Sequence, residues 1–340
     1  MRKAEYFFAS EDEARSVRCG LCPEFCLIPS GGRGRCLARV NKDGVLYAEN
    51  YADVAALSMD PIEKKPLYHF YPGSEILSAA SWGCNLSCRW CQNWDLSQKK
   101  RHGRIMQPSE LADLTLAGGN GMIAFTYSEP FVWYEYILDF AKIVKAENTD
   151  FKIVLVSNGY VNPAPLKRLM PYIDAANIDI KAMSDEISRG FTGGYHMPAM
   201  NTAESLYKEG VHVELTYLMV TGANDSDEMV EAFARWAAET LAPSVPVHLS
   251  AYYPAYKMKT PPTDPDKMGR AFNMARNAGL YYVYTGNAGV LSRSDTRCPG
   301  CGQILVKREG YHTKITGVSD GKCSSCGRQA DFTGLDENQP

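Results

Sequence analysis

Gly83-Cys84-Asn85-Leu86-Ser87-Cys88-Arg89-Trp90-Cys91-Gln92-Asn93 is the stretch on which the reading of this chain turns. Three cysteines stand at spacings x3 and x2, directly after an apolar run over 74–81 that reads as a strand. Three thiolates hold three corners of a four-iron cube and leave the fourth iron open. An open position is what a catalytic metal needs, whereas a structural metal has a closed shell. The alternative is a three-cysteine zinc site completed by a histidine, His69 and His102 being the nearest in sequence. A short loop after an apolar strand suits the cube better. Trp90 could stack on an adenine or pack against the cluster.

The other cysteines sort around this loop. The chain has 11, in groups of four, three and four with none left over. Cys298, Cys301, Cys323 and Cys326 form two Cys-x2-Cys knuckles, each followed closely by glycine. Four sulfurs saturate a tetrahedral zinc, the structural pattern, and would let a short tail fold that has too little core of its own. Cys19, Cys22, Cys26 and Cys36 are spaced x2, x3, x9. Four thiolates there could close a zinc or a second iron–sulfur cluster. The spacing departs from the ferredoxin-type run, which leans the reading to zinc and leaves both open.

Bulk properties bound the class. The chain has 340 residues, 45% hydrophobic and 22% charged, with net charge −3. That is ordinary for a globular protein with a proper core, and long enough for one catalytic domain with small appendages. An acidic balance argues against general nucleic-acid binding. The basic run 99–104 reads as a solvated loop in preference to a docking patch. No apolar h-region opens the chain and no run of about 18 apolar residues occurs, so neither a signal peptide nor a membrane span is expected. A cytoplasmic chain this rich in cysteine points to metal rather than disulfides. The acidic end 336–340 reads as frayed.

Beyond the loop, strands alternate with helices. Strands are predicted over 122–127, 152–156, 177–180, 212–219, 247–252 and 281–284. Helices are predicted over 109–117, 131–145, 163–170, 185–189, 202–209, 227–241 and 265–277. Alternation of this kind implies parallel βαβ units, hence a partial barrel or an open parallel sheet with ligands at the C-terminal strand ends. Those ends read Thr126-Tyr127-Ser128-Glu129-Pro130, Ser157-Asn158-Gly159-Tyr160 and Asp179-Ile180-Lys181. Each also reads as ordinary turn or cap chemistry. Gathered beside a three-cysteine loop, they favour a site.

CNLSCRWC carries the CxxxCxxC signature of the radical S-adenosylmethionine (SAM) superfamily, and IDIKAMSDEISRGFTG resembles the same region of pyruvate formate-lyase activating enzymes. The chain as a whole resembles the AmmeMemoRadiSam system radical SAM enzyme family, through LCPEFCLIPSGGRGRC, SMDPIEKKPLYHFYPGS, FTYSEP, VSNGY, IDIK and the C-terminal cysteine pairs. The resemblance implies an α/β fold, a partial (β/α)6 barrel over 74–292. A Cys-rich N-terminal segment and connector (1–73) and a zinc-ribbon-like tail (293–340) would flank it. It implies a [4Fe-4S] cluster on Cys84, Cys88 and Cys91, with SAM chelating the open iron. Reductive cleavage of SAM would give a 5′-deoxyadenosyl radical that takes hydrogen from a substrate.

It further implies that Thr126, Tyr127, Ser128 and Glu129 lie near the SAM amino group and that Asn158 faces the ribose or carboxylate. Asp179 and Lys181 would reach the methionine end, Lys181 as a partner for a carboxylate. A one-electron donor such as flavodoxin or ferredoxin is implied, and Memo-like or AMMECR-like companions. The substrate is not readable: a glycine in a partner protein, a metabolite and tRNA are all compatible, as is a metal scaffold without catalysis. Two departures stand out. Val156 replaces the acidic residue that the activases carry before Asn-Gly, which leaves a cation site there in doubt. Where they have a histidine near the sixth strand end, this chain reads His248-Leu-Ser-Ala-Tyr-Tyr-Pro, and no role is transferred. DPIEKKPLYH (60–69) reads equally as a substrate-touching cover or a charged connector.

Overall fold

A computed structural model describes residues 1–10, 15–118, 121–289 and 292–335. The expected frayed end at 336–340 lies outside the described residues. The centre is an eight-stranded sheet. In chain order its strands are β1 (Ala56–Pro61), β2 (Glu75–Ala80), β3 (Met122–Phe125), β4 (Lys152–Ser157), β5 (Ala175–Asp179), β6 (His212–Met219), β7 (Val247–Ala251) and β8 (Val283–Gly286). Strands β2 to β8 run parallel in sequential order, and β1 pairs antiparallel with β2, Asp60 opposite Ile76. The end strands β1 and β8 do not pair with each other, so the α/β barrel is partial, as the sequence implied.

Parallel strands covered on both faces should be apolar nearly throughout. Met-Ile-Ala-Phe of β3 is fully buried, as are five of six residues of β2. Helices fill the crossovers: α1 (Pro108–Ala117), α2 (Tyr134–Glu147), α3 (Pro163–Leu169), α4 (Asp185–Phe191), α5 (Met197–Lys208), α6 (Asp227–Trp236) and α7 (Pro265–Asn277). On α2, Tyr134, Ile137, Leu138, Ala141 and Val144 recur at helical spacing and face the sheet. Ser184, Ser226 and Asp264 accept hydrogen bonds from the first-turn N–H groups of α4, α6 and α7.

Several boundaries differ from expectation, the last strand running Val283–Gly286 rather than 281–284, and three of the differences have a local reason. The helix expected from 131 starts as a 3-10 turn, Pro130–Trp133, because Glu129 caps it by accepting from the Phe131 N–H. The helix expected over 202–209 begins at Met197, with Pro198 in its first turn where proline is tolerated. Strand β5 begins at Ala175 rather than 177; alanine is a poor strand former, so the pairing to β6 rather than local preference extends it.

The phrase Asp60–His69 has a definite place. Ile62, Leu67 and Phe70 are fully buried against Ile76, Met122, Val154 and Ala175, which lie in the first halves of β2 to β5. The Asn177 side-chain amide donates to the Pro66 carbonyl at 2.7 Å, and Glu214 on β6 accepts from the N–H groups of Tyr68 (3.0 Å) and His69 (2.7 Å). Residues 62–71 therefore close the N-terminal end of the barrel from inside.

The tail covers this plug. Arg308 donates to the Tyr68 carbonyl at 2.7 Å, His69 Nδ1 lies 2.6 Å from the Asp331 carbonyl, and the His69 ring stacks on Phe332 at 4.5 Å. The tail itself is a three-stranded antiparallel sheet, Thr296–Arg297, Ile304–Glu309 and His312–Ile315, followed by a two-stranded ladder, Val318–Ser319 with Lys322–Cys323. At the other terminus, short antiparallel strands (Phe7–Ala9, Val17–Cys19, Leu27–Ile28, Arg39–Lys42, Val45–Ala48) carry the N-terminal cysteines.

The basic run 99–104 is tied down. Lys99 and Arg101 pair with Asp95, Lys100 with Glu49 and His102 with Asp53, and Arg104–Ile105 forms a two-residue ladder with Asp53–Val54. Among the described residues no helix is long and apolar enough to cross a membrane.

Candidate active site at the cysteine-loop rim

The cysteine loop leaves the C-terminal end of β2. Gly83 is in the left-handed region, φ 100°, and a Cβ there would lie 2.5 Å from the Cys36 carbonyl oxygen, so only glycine fits. Three backbone bonds then fix the loop: Gly83 N–H to the Leu96 carbonyl, Ser87 N–H to Thr192 and Arg89 N–H to Phe191, all at 2.8–2.9 Å. The Cys84 sulfur accepts from the Leu86 N–H at 3.4 Å and from the Asn158 amide at 3.6 Å; Cys91 lies 3.2 Å from the Ser97 hydroxyl. Burial pushes the Cys84 thiol far up and the Cys88 thiol to about 11, Lys181 opposing the latter. Such thiols keep their protons until a metal displaces them.

Two cysteine groups differ in spread. The four C-terminal sulfurs all lie within 4.8 Å of one another, with Cys298–Cys326 and Cys301–Cys323 each at 3.6 Å. Around a tetrahedral zinc at about 2.3 Å per bond, sulfurs sit roughly 3.8 Å apart, so this site fits zinc. Among the described residues it is the one such close group of three or more. Cys84, Cys88 and Cys91 are spread more widely, and neither histidine completes them. His69 is buried at the opposite end of the barrel, with Nε2 2.6 Å from the Tyr284 hydroxyl, and His102 is bound to Asp53. Three spread thiols on one loop, with no fourth protein ligand among the described residues, match a cluster with an open corner better than one zinc ion.

Around the loop lies a cleft. Of the predicted residues, the structure brings Cys84, Cys88, Cys91, Trp90, Tyr127, Ser128, Glu129, Asn158, Asp179 and Lys181 to its lining. Thr126 is not among them; it is buried, its N–H bound to the Ala79 carbonyl in the sheet. Tyr127 holds φ 63°, which turns its hydroxyl down onto Asp60 while Lys65 sits 4.6 Å over its ring. The plug segment thus meets the cleft through Tyr127. Asp60 stays ionised well below the usual carboxylate range; burial alone would raise it, but hydrogen bonds from Lys64, Lys65 and Tyr127 outweigh that.

Glu129 ties strand ends together. Its carboxylate accepts from Phe131 N–H (3.0 Å), Asn158 N–H (2.9 Å) and the Ser157 hydroxyl (2.7 Å). Burial still pushes it up to about 7. Asn158 donates also to the Asn85 side-chain oxygen at 3.0 Å, and Asn85 donates to the Tyr160 carbonyl at 2.7 Å. Lys181 and Asp179 pair at 3.1 Å. Burial works against the Lys181 charge, but Asp179 and the Cys88 sulfur hold it cationic. The cleft therefore offers one carboxyl, one ion pair and an amide beside the three cysteines, a set suited to an amino acid's charged end.

The later strands supply what the sequence reading missed. Thr216, Leu218, Ser250 and Asn287 join the lining, together with Val156 near the end of β4 and Gln92, Asn93 and Ser97 on and after the cysteine loop. Asn287, just past β8 with φ 55°, donates to Ser250 at 3.1 Å. The same strand-end rule, carried on to β6, β7 and β8, would have found Leu218, Ser250 and Asn287. His248 does not face the cleft; its Nε2 binds Glu214 at 2.6 Å on the plug side.

Comparison with known proteins agrees with this arrangement. The family model described as the radical SAM superfamily matches residues 81–237. An uncharacterized protein of Methanocaldococcus jannaschii is 37% identical over 338 residues, 98% of this chain and 99% of that protein. The pyruvate formate-lyase 1-activating enzyme of Escherichia coli K12 is 25% identical over 154 residues, 43% of this chain and 61% of the enzyme. The 4-hydroxyphenylacetate decarboxylase activating enzyme of Clostridium scatologenes is 29% identical over 113 residues, 33% of this chain and 36% of that enzyme. The match thus spans less than two thirds of each activating enzyme. A radical SAM methyltransferase from Sphaerobacter thermophilus has a similar fold, with TM-score 0.50 and 17% identity over 86% of this chain and 81% of that one. Cysteine loop, parallel barrel and relatives agree: the chain belongs to the radical SAM superfamily.

Proposed function

We propose that the chain is an enzyme that cleaves SAM reductively at a [4Fe-4S] cluster held by Cys84, Cys88 and Cys91. The observation that carries this is the three-thiol loop at the C-terminal rim, spread beyond zinc spacing and facing a cleft with charged groups. When bound, the cluster supplies the electron that breaks a carbon–sulfur bond of SAM, and the carbon radical so formed takes a hydrogen atom from substrate. The protein's own part is positional. Asp179, Lys181 and Asn158 orient the amino-acid end of SAM, Glu129 locks the strand ends that carry them, and Trp90 packs beside the loop. The buried walls keep water from the radical. Residues 74–292 carry this chemistry on the proposed division, with 1–73 as the Cys-rich segment and connector and 293–340 as a zinc-stabilised tail.

The long phrase DPIEKKPLYHF and the paired cysteine groups support membership of the AmmeMemoRadiSam family, with Memo-like or AMMECR-like companions. The activating-enzyme relatives support a protein electron donor such as flavodoxin or ferredoxin, and a glycine in a partner protein as substrate. The test is anaerobic 5′-deoxyadenosine formation by reconstituted protein with SAM and reductant, beside Cys88→Ala and with high-mass or low-mass extract fractions added. Wild-type product that one fraction stimulates supports the reading, and the stimulating fraction gives the substrate class. Wild type and variant equally silent, with a verified cluster, refutes it.

A further inference from the structure

Between the last strand of the barrel and the tail lies an open groove of about 600 Å³. Phe272 and Arg276 of α7, Tyr281 and Val283 at the start of β8, and residues of the segment 292–297 line it. That volume suits a ligand of nucleotide size. Among the described residues none lines both this groove and the cysteine-loop cleft. Val283 borders the groove at the start of β8, and Asn287 borders the cleft just past its end.

The charge of the groove is one-sided. Arg276, Arg293, Arg297 and Arg308 border it with a single carboxylate, Asp295, which already accepts from the Arg308 N–H at 2.9 Å. Arg308 is buried at the back, and Glu63 at 3.5 Å meets its charge. The other three are exposed, and among the described residues no carboxylate pairs with them. Elsewhere exposed arginines find acids: Arg2 pairs with Asp139, Arg101 with Asp95, Arg168 with Glu5 and Arg235 with Glu231. Like charges gathered in one groove repel each other and raise the local concentration of anions.

The three free guanidinium groups are held by contacts that leave their charge intact. Arg276 donates to the carbonyls of Leu280 (2.8 Å) and Tyr281. The Arg293 guanidinium lies 4.1 Å over the Phe272 ring. Arg297 donates to the Gly302 carbonyl at 3.2 Å. Arg276 and Arg297 spend only Nη1 in this way and Arg293 spends no N–H, so most of their donors remain for another acceptor. Guanidinium forks match phosphate oxygens. A phosphate monoester carries at most about two negative charges, so three guanidinium groups match a diphosphate better. Tyr281, 38% exposed, adds an aromatic ring at the edge. One compact groove on a chain of net charge −3 suits a small ester rather than a nucleic-acid backbone, which asks for a basic track.

We propose that this groove is a second binding site, separate from the cleft, that takes the diphosphate of a nucleoside diphosphate on Arg276, Arg293 and Arg297. No bond is made or broken there. The site does not depend on SAM cleavage, so it stands or falls apart from the proposed function.

The experiment is equilibrium dialysis of labelled ADP against the full chain, loaded anaerobically with iron, sulfide and zinc. Excess SAM is present so that the cleft is not counted. Wild type is compared with Arg276→Gln/Arg293→Gln. The expected wild type binds ADP with Kd below about 1 mM, and inorganic pyrophosphate displaces it. The double variant should bind about 10–100-fold more weakly, the loss of charge-assisted hydrogen bonds, with Tm and zinc content unchanged. No binding by wild type overturns the proposal, as does binding that SAM abolishes or that the folded variant retains in full. Loss of zinc from the variant with ADP binding intact also overturns it, since the arginines would then serve the tail's thiolates. Tighter binding of a uridine octanucleotide than of ADP, lost in the same variant, overturns the choice of a small ligand. If the double variant does not fold, Arg293→Gln decides, because Arg293 touches only the Phe272 ring through its guanidinium.

Discussion

Glu214→Gln should loosen the base of the barrel without touching the metal sites. Glu214 is fully buried and its two oxygens accept from four donors. Oε1 serves the His69 N–H at 2.7 Å and His212 at 3.1 Å; Oε2 serves the Tyr68 N–H at 3.0 Å and His248 at 2.6 Å. Burial alone would raise this carboxyl, but His212 and His248 hold it well below the usual carboxylate range. Glutamine has one accepting oxygen and one NH2 group. Whichever way it turns, the backbone N–H of Tyr68 or His69 faces a donor, and one histidine must change tautomer or lose its partner.

An orphaned buried N–H costs about 1–3 kcal/mol, and losing a charge-assisted bond adds a similar amount. Together this is roughly 2–4 kcal/mol, or a fall in Tm of about 4–8 °C. Thermal unfolding at pH 7 would measure it, with limited proteolysis of the tail as a second readout, since residues 68–69 also carry the ribbon. Iron content should not change. A Tm within about 1 °C of wild type would refute the hub reasoning. The sign with pH follows. Because the folded carboxyl is depressed, its contribution is present above its unfolded pKa of about 4.3 and fades below it, so the wild-type and Glu214→Gln curves should converge in acid.

Other outcomes follow from the same contacts. His69 is buried and held down to about 4 by desolvation. The unfolded chain takes a proton near pH 6.5 that the fold refuses, so stability should fall between pH 6.5 and 4 by up to about 3 kcal/mol, a slope that His69→Gln flattens. Cys88→Ala should lose the catalytic-loop iron and 5′-deoxyadenosine formation with little loss of Tm. Cys323→Ala should instead release zinc and open the tail to protease with iron retained. Lys181→Met removes the buried cation beside Asp179; SAM affinity, read by equilibrium dialysis, should fall about 10–100-fold, at 1.5–3 kcal/mol for a charged hydrogen bond.

Much of the fold was legible because the barrel strands are short apolar runs whose alternation with amphipathic helices has one common solution. The cysteine partition was legible because spacing is a local property. What stayed hidden was contact at long range. Asp60–His69 read equally as cover or connector, since nothing in DPIEKKPLYH states that Glu214, about 145 residues later, accepts from its backbone. Thr126 looked like its neighbours at the strand end. Strand alternation and the turn at Tyr127 put it in the sheet wall instead. Boundaries slipped where tertiary pairing overrode preference, as at Ala175, and where Glu129 capped a 3-10 turn in place of a full helix.

The plug at the base governs traffic. A tube open at both ends can load one reactant from each side. Here Ile62, Leu67 and Phe70 are wedged among the strand starts and the ribbon lies across them. Reactants therefore reach the cleft from the cysteine-loop rim or through the gap between the unpaired strands β1 and β8, and not through the base.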